Sequence, residues 1–181
     1  MHGIDSKVSE RQAPLRRQYA HEPEAAISPK WARTSSTNLS PGDPFHVDVE
    51  IGREHTLSLR LGVDHRVGGL GDLPNPGDLL CAALAACADV AIRMVADLLG
   101  VQLDMLEVEV SGTVDVRGAL ALDPDVRVGF QSLESRVRLR AARETPARLI
   151  DQLMKAAKRA CVNLDTLQRG TTVELIVGES S

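Results

Sequence analysis

The chain changes its hydrophobic period several times, and each change marks an element. From residue 45 apolar side chains take every second position: Phe45, Val47, Val49 and Ile51 alternate with His46, Asp48 and Glu50. Leu57, Leu59 and Leu61 then alternate with Thr56, Ser58 and Arg60, and Gly52-Arg53-Glu54 lies between the two runs. Alternation of this kind turns one face to a core and the other to water, so it predicts a hairpin. A Gly-rich connection, Gly68-Gly69-Leu70-Gly71, leads into Asn75-Pro76-Gly77-Asp78. These residues write a helix start: Asn75 caps free amides, Pro76 suits the first turn, and Asp78 meets the positive end of the dipole. The predicted helix runs to Leu99, stops at Gly100 and spans roughly 35 Å. It is apolar nearly all round, which predicts a central position.

Alternation resumes at Leu106 and holds one parity through Val108, Val110, Gly112, Val114 and Val116. After a turn near Asp123-Pro124 a second long strand is predicted over residues 126–140. Its apolar parity changes between Phe130 and Leu133, where a bulge or break is expected. Thr145-Pro146 opens another helix, with Leu149, Ile150, Leu153, Ala156, Ala157 and Ala160 as its apolar stripe. Cys161 follows, then a polar turn or short helix ending at Gly170, and a last strand with Val173, Leu175 and Val177. Residues 1–28, interrupted by charges and by Pro14, read as an N-terminal extension in which Pro23 can open a short helix. Residues 29–181 read as a single domain. Strand pairs and helices are segregated and not alternating, so the fold class is α+β.

Composition narrows the function. Of 181 residues 43% are hydrophobic and 25% charged, with a net charge of −4. This suits a soluble domain with a real core and leaves no footprint for nucleic acid or an anionic membrane. The apolar run 79–96 is nearly long enough to span a bilayer, yet it carries Asp89 and Arg93 and is dominated by alanine, so it reads as a core helix. Residues 1–17 lack the apolar segment of a signal peptide, and a cytoplasmic location is expected. The histidines are scattered, with no Cys-x-x-Cys pair, nucleophile elbow or phosphate loop, so no metal and no cofactor are expected. Arg136, Arg138 and Arg140 form one solvated strand face.

Three cysteines, an odd number, argue against a secreted disulfide framework and direct attention to thiol chemistry. Cys87 lies on the helical line Leu80, Ala83, Leu84, Cys87, Val90, Ala91 and Met94. Taken alone, a cysteine there is a small core hydrophobe. Cys81, six positions earlier and roughly 240° around the helix, faces elsewhere. Cys161 follows Lys155, Lys158 and Arg159. Those cations and a new helix start would favour its thiolate, whereas the preceding helix C-terminus opposes it.

The stretch VDHRVGGLGDLPNPGDLLCAALAACADVAIRMVADLLGVQL, then LEVEVSGTVDVRG and KRACVNLDTLQRG, resembles the OsmC/Ohr family of osmotically induced and organic-hydroperoxide-resistance proteins, over about residues 45–177. The resemblance implies antiparallel sheets wrapped around long central helices in an intertwined homodimer, with each site at the dimer interface. It implies a thiol peroxidase in which Cys87 reduces an organic hydroperoxide, Cys161 resolves the product as a disulfide and an external dithiol restores both. Gly77 stands where peroxidase subgroups carry glutamate, with Asp78 as the adjacent acid. Arg66 is the candidate activating arginine and Arg60 its fallback. Val162 replaces the proline usual after the second cysteine. A buried Cys87 with no cation beside it would react slowly, so the arginine decides more than the cysteines do. The alternative is a non-enzymatic member binding a small apolar ligand in the same crevice.

Overall fold

The long helix predicted from Asn75 organises everything else. In the computed structural model, which describes residues 7–35 and 38–178, it runs over Pro76–Leu99 (α2, numbered in chain order). Asn75 accepts from the amides of Gly77 and Asp78, and the Asp78 carboxylate accepts from the Asn75 amide at 2.9 Å, closing a capping box. At the other end Gly100, at φ 68°, adopts the left-handed cap. Before it come α1 (Val8–His21), a 3₁₀ turn (Pro23–Ala26), an antiparallel sheet in the order β1-β2-β3 (Ala32–Ser35, His46–Ile51, Leu57–Gly62) and a second 3₁₀ turn (His65–Val67). After it come β4 (Leu103–Val114), a short helix α3 (Val116–Ala119), β5 (Phe130–Ala141), α4 (Ala147–Ala160) and α5 (Val162–Arg169). Strands β4 and β5 form a separate antiparallel pair.

Side-chain period accounts for the pairings. In the β2–β3 hairpin Val47 faces Leu61, Val49 faces Leu59 and Ile51 faces Leu57, so the apolar positions share one side of the sheet. On β5 the register shifts where Ser132 opposes Thr113 and Phe130 opposes Val114, leaving Gln131 as the extra residue. This is the bulge expected from the parity change, and it returns Phe130 and Leu133 to the same face. Gly112 makes room there: a Cβ on it would stand 2.6 Å from the Phe130 ring. The core forms where Leu84, Ala91, Ile92, Val95 and Ala96 of α2 meet Leu153 and Ala157 of α4, under Leu106, Val108 and Val137 of the strand pair. Leu153 is fully buried, a burial worth about 1.5–3 kcal/mol.

Two expectations are corrected. Residues 171–178 alternate as a strand should, yet they form none: Val173, Leu175, Ile176 and Val177 are 79–89% exposed. A strand needs an edge to hydrogen-bond with, and among the described residues this segment has no strand partner. Strand β5 begins at Phe130, four residues later than expected, because residues 126–129 instead turn beside α3. Helix α1 and strand β1, which periodicity did not announce, are held by neighbours. The Val8 amide donates to the Asp97 carboxylate of α2 at 2.7 Å, and β1 pairs along β2.

The connection between β3 and α2 folds tightly on itself. Gly69 donates to the Asp64 carbonyl at 3.0 Å, and a Cβ at that position would lie 2.2 Å from the Val63 carbonyl oxygen. His46 ties this connection to the sheet, with Nδ1 2.9 Å from an Asp43 carboxylate oxygen and Nε2 3.0 Å from one of Asp72. Two carboxylates on one ring favour the imidazolium, in which both nitrogens donate. Asp43 foremost, then Asp72, holds His46 above its ordinary value, and both acids are lowered in return. Asp48 also sits within the field of His46, with its own charge answered by Arg60. Because the folded value is raised above 6.5, the clamp acts in full below that pH and fades as pH rises through the folded value. The gap in urea midpoint between the parent and His46→Gln should therefore be widest at about pH 6 and narrower at about pH 9. An equal gap at both would show that the ring binds as a neutral group.

Candidate active site

The break between α4 and α5 creates the site. Cys161 ends one helix and caps the next, with extended backbone at φ −82°, ψ 99°, and its side chain is only 2% exposed. That turn presents the start of α5 to the middle of α2. The Asn163 amide reaches Cys87 Sγ at 3.5 Å, and Asn163 Nδ2 donates to the Ala83 carbonyl at 2.8 Å. Cys87 packs against the buried cluster that holds Cys161, and the two thiols are electrostatic neighbours, so sequence positions 74 apart are brought together. Burial, first, pushes the Cys161 thiol up. Backbone N–H groups of Leu164 and Asn163 oppose this, and the neighbouring Cys87 adds to it. The helix start expected to favour a Cys161 thiolate is thus present but outweighed by desolvation.

The two sulfurs open to different spaces. Cys87 is half-buried and lines a cleft of about 680 Å³ with Ala86, Val90, Met94 and Leu98 of α2, and Gln12 and Arg16 of α1. Cys161 lines a second cleft of about 500 Å³ on the side of β5 and α4. A thiol open to an apolar cleft, backed by a buried second thiol, can be attacked or oxidised from one side and bridged from the other.

The remaining predicted residues lie elsewhere in the chain. Arg66 and Asp78 line a third cleft, of about 720 Å³, at the first turns of α2, and the cysteine they share it with is Cys81. Burial and then the Asp78 charge push the Cys81 thiol up, the opposite of activation. The Arg66 guanidinium stands 3.8 Å from Asp64. Arg60 is held in the sheet by two hydrogen bonds to the Asp48 carboxylate, at 2.7 and 2.9 Å. Within one chain, then, Cys87 and Cys161 meet, whereas Arg66, Asp78 and Arg60 are not brought to them. Sequence reasoning missed Asn163, Gln12 and Arg16. Asn163 had one available signal, a position two past the second cysteine at a helix start.

A model of the OsmC-like protein family matches residues 69–176, the span that holds both thiols. No curated relative matches the chain. Among solved structures, the OsmC-like protein of Mycoplasma pneumoniae superposes with a TM-score of 0.58 at 14% identity, covering 78% of this chain and 88% of that one. An organic hydroperoxide resistance protein of Elizabethkingia anophelis gives 0.56 at 17% identity, covering 80% and 91%. An organic hydroperoxide resistance protein of Legionella pneumophila gives 0.53 at 22% identity, covering 80% and 92%. The α+β arrangement of antiparallel sheets about a long central helix is the one these structures share. With a family match over more than half its length, this chain belongs to the OsmC-like protein family.

Proposed function

We propose that this protein is a thiol peroxidase of organic hydroperoxides. The observation that carries the reading is the contact of a cleft-lining Cys87 with a buried Cys161. It agrees with the names of the Legionella and Elizabethkingia proteins. The Cys87 thiolate attacks the terminal oxygen of R–O–O–H, the O–O bond breaks, and the alkoxide leaves with a proton as R–OH. Cys87 becomes a sulfenic acid. The Cys161 sulfur then displaces that hydroxyl as water and forms the Cys87–Cys161 disulfide, which an external dithiol reduces while becoming a disulfide itself. Cys161, kept protonated by burial, does not compete for the peroxide. The setting is a reducing, cytoplasmic one.

The working unit is a homodimer. In a single chain the stripe Leu80, Val90, Met94 and Leu98 of α2 stays open, with Val90 53% exposed. Apolar surface of this extent asks for a partner. Asp78 and Cys87 are about 14 Å apart along the helix, too far to meet in one chain. Exposed Ala82 and Ala83 lie midway between them and let two such helices cross closely. An antiparallel crossing there carries the partner's Arg66 and the partner's Asp78 toward Cys87. The second reading, capture of an apolar ligand without turnover, draws on the alanine, valine, methionine and leucine walls of the Cys87 cleft.

One equivalent of an alkyl hydroperoxide should convert the protein to an intrachain disulfide, read by intact-mass spectrometry. Cys161→Ser should stop at the sulfenic acid and over-oxidise, Cys87→Ser should not react, and Cys81→Ser should match the parent. A parent that keeps three free thiols and consumes no peroxide would leave the ligand-binding reading in its place. Light scattering should give a dimer at micromolar concentration, and a monomer would reject the crossing. Asn163→Ala removes a hydrogen bond between α5 and α2 and should cost about 1 kcal/mol in chemical denaturation.

A further inference from the structure

Helix α5 opens on Cys161, so no oxygen-bearing side chain stands at its cap. The first amides of a helix have no carbonyl partner within it, and here a sulfur takes that place. The Asn163 amide, second in the helix, donates to Cys87 Sγ at 3.5 Å, across 76 positions of sequence. The same residue reaches α2 a second time, where Asn163 Nδ2 donates to the Ala83 carbonyl at 2.8 Å. Ala83 lies four residues before Cys87, so its carbonyl also accepts the Cys87 amide along α2, and one carbonyl oxygen has lone pairs for both.

The two contacts frame one turn of α2. The side-chain bond sets the height of α5 against Ala83, and that height places the backbone N–H on the sulfur one turn further along. Such a bond is weak while the sulfur is a thiol and much stronger once it is an anion. The positive end of α5 acts in the same direction. The charged and titratable groups on the elements around Cys87 are the Cys161 thiol, Arg16 of α1 lining the same cleft, and Asp165 of α5, which Arg169 holds at 2.9 Å. Lys158 of α4 lines the cleft on the other side. The Asn163 amide differs from these in meeting the Cys87 sulfur as a direct donor.

We infer that Asn163 is a positioning residue for Cys87: its side chain, bound to the Ala83 carbonyl, holds its own backbone N–H on the Cys87 sulfur, where that donor stabilises the anion. This rests on the reading of Cys87 as the reacting thiol, and the bond acts before any peroxide arrives. The break between α4 and α5 then has two tasks. It carries Cys161 toward its partner thiol, and it supplies the donor that prepares that partner, so one turn of chain serves both sulfurs.

The pH profile of Cys87 alkylation by iodoacetamide, resolved from Cys81 and Cys161 by peptide mass spectrometry on the full chain, tests it. Asn163→Ala and Asn163→Leu keep the backbone N–H and lose its anchor. Both should move the midpoint of the profile upward, equivalent to about three- to tenfold less thiolate at neutral pH, the effect of weakening one hydrogen bond to an anion. A merely looser α5 would raise the plateau rate at high pH and leave the midpoint in place, so the midpoint decides. Asn163→Asp cannot donate to the Ala83 carbonyl and sets a negative charge beside the sulfur, and it should move the midpoint further. Gln168→Ala, which removes an amide from the exposed far end of α5, should match the parent, and Cys81 should keep its profile. The displacement in Asn163→Leu should persist when Cys161→Ala removes the second thiol. Circular dichroism verifies that each variant is folded at the temperature used. An unmoved midpoint in both Asn163→Ala and Asn163→Leu overturns the inference, as does a displacement that vanishes with Cys161. A displaced midpoint in a protein that consumes no peroxide leaves the inference standing and removes the peroxidase reading alone.

Discussion

The structure depends on one excess: α2 carries more apolar surface than a single chain covers. Its length and composition would allow it to cross a membrane, with a mean hydropathy of 2.0. One side is buried by α4 and the strand pair, where Leu84, Ile92, Val95 and Ala96 pack. The opposite side, along Leu80, Val90, Met94 and Leu98, is only partly covered. Cys87 sits at the border between the two. A cysteine further into the packed side would be inert core, and one further out would be open to any oxidant. The border position gives it a buried neighbour on one hand and a cleft on the other, and both follow from how the remaining elements divide the helix between them.

The secondary elements were legible where their cause is local. Asn75, Pro76 and Asp78 announce the start of α2 because capping is chemistry among four neighbouring residues. The β2–β3 hairpin and the Gln131 bulge were legible because strand faces follow a period of two. Helix α1 was not, because Pro14 and its charges blur the pattern and its anchor, Asp97, is 89 residues away. The tail 171–178 was over-read for the converse reason. Alternation at Val173, Leu175 and Val177 gives a face, but pairing is a property of the neighbour.

Of the candidate site, the family resemblance names Cys87 and Cys161 together, whereas the pattern of residues alone does not. Residue spacing states how far apart Cys87 and Cys161 are in sequence, and it does not state that the start of α5 will turn Asn163 and Cys161 onto α2. Arg66 and Asp78 were chosen by their offsets from Cys87, and the fold gathers both around Cys81. An offset along a helix is also a distance, and nine residues place Asp78 beyond reach of Cys87 unless a second helix brings it back.

The same first turn explains why glycine stands at position 77. A Cβ there would lie 2.9 Å from Asn75 Oδ1, the oxygen that accepts from the Gly77 and Asp78 amides, and 3.4 Å from the Phe130 ring. A glutamate at 77 would therefore have to displace the cap or the ring that Gly112 accommodates. Asp78, one residue on, instead closes the capping box through the Asn75 amide, where its charge also complements the dipole of α2. In this chain the acid at the head of the central helix is engaged in starting that helix.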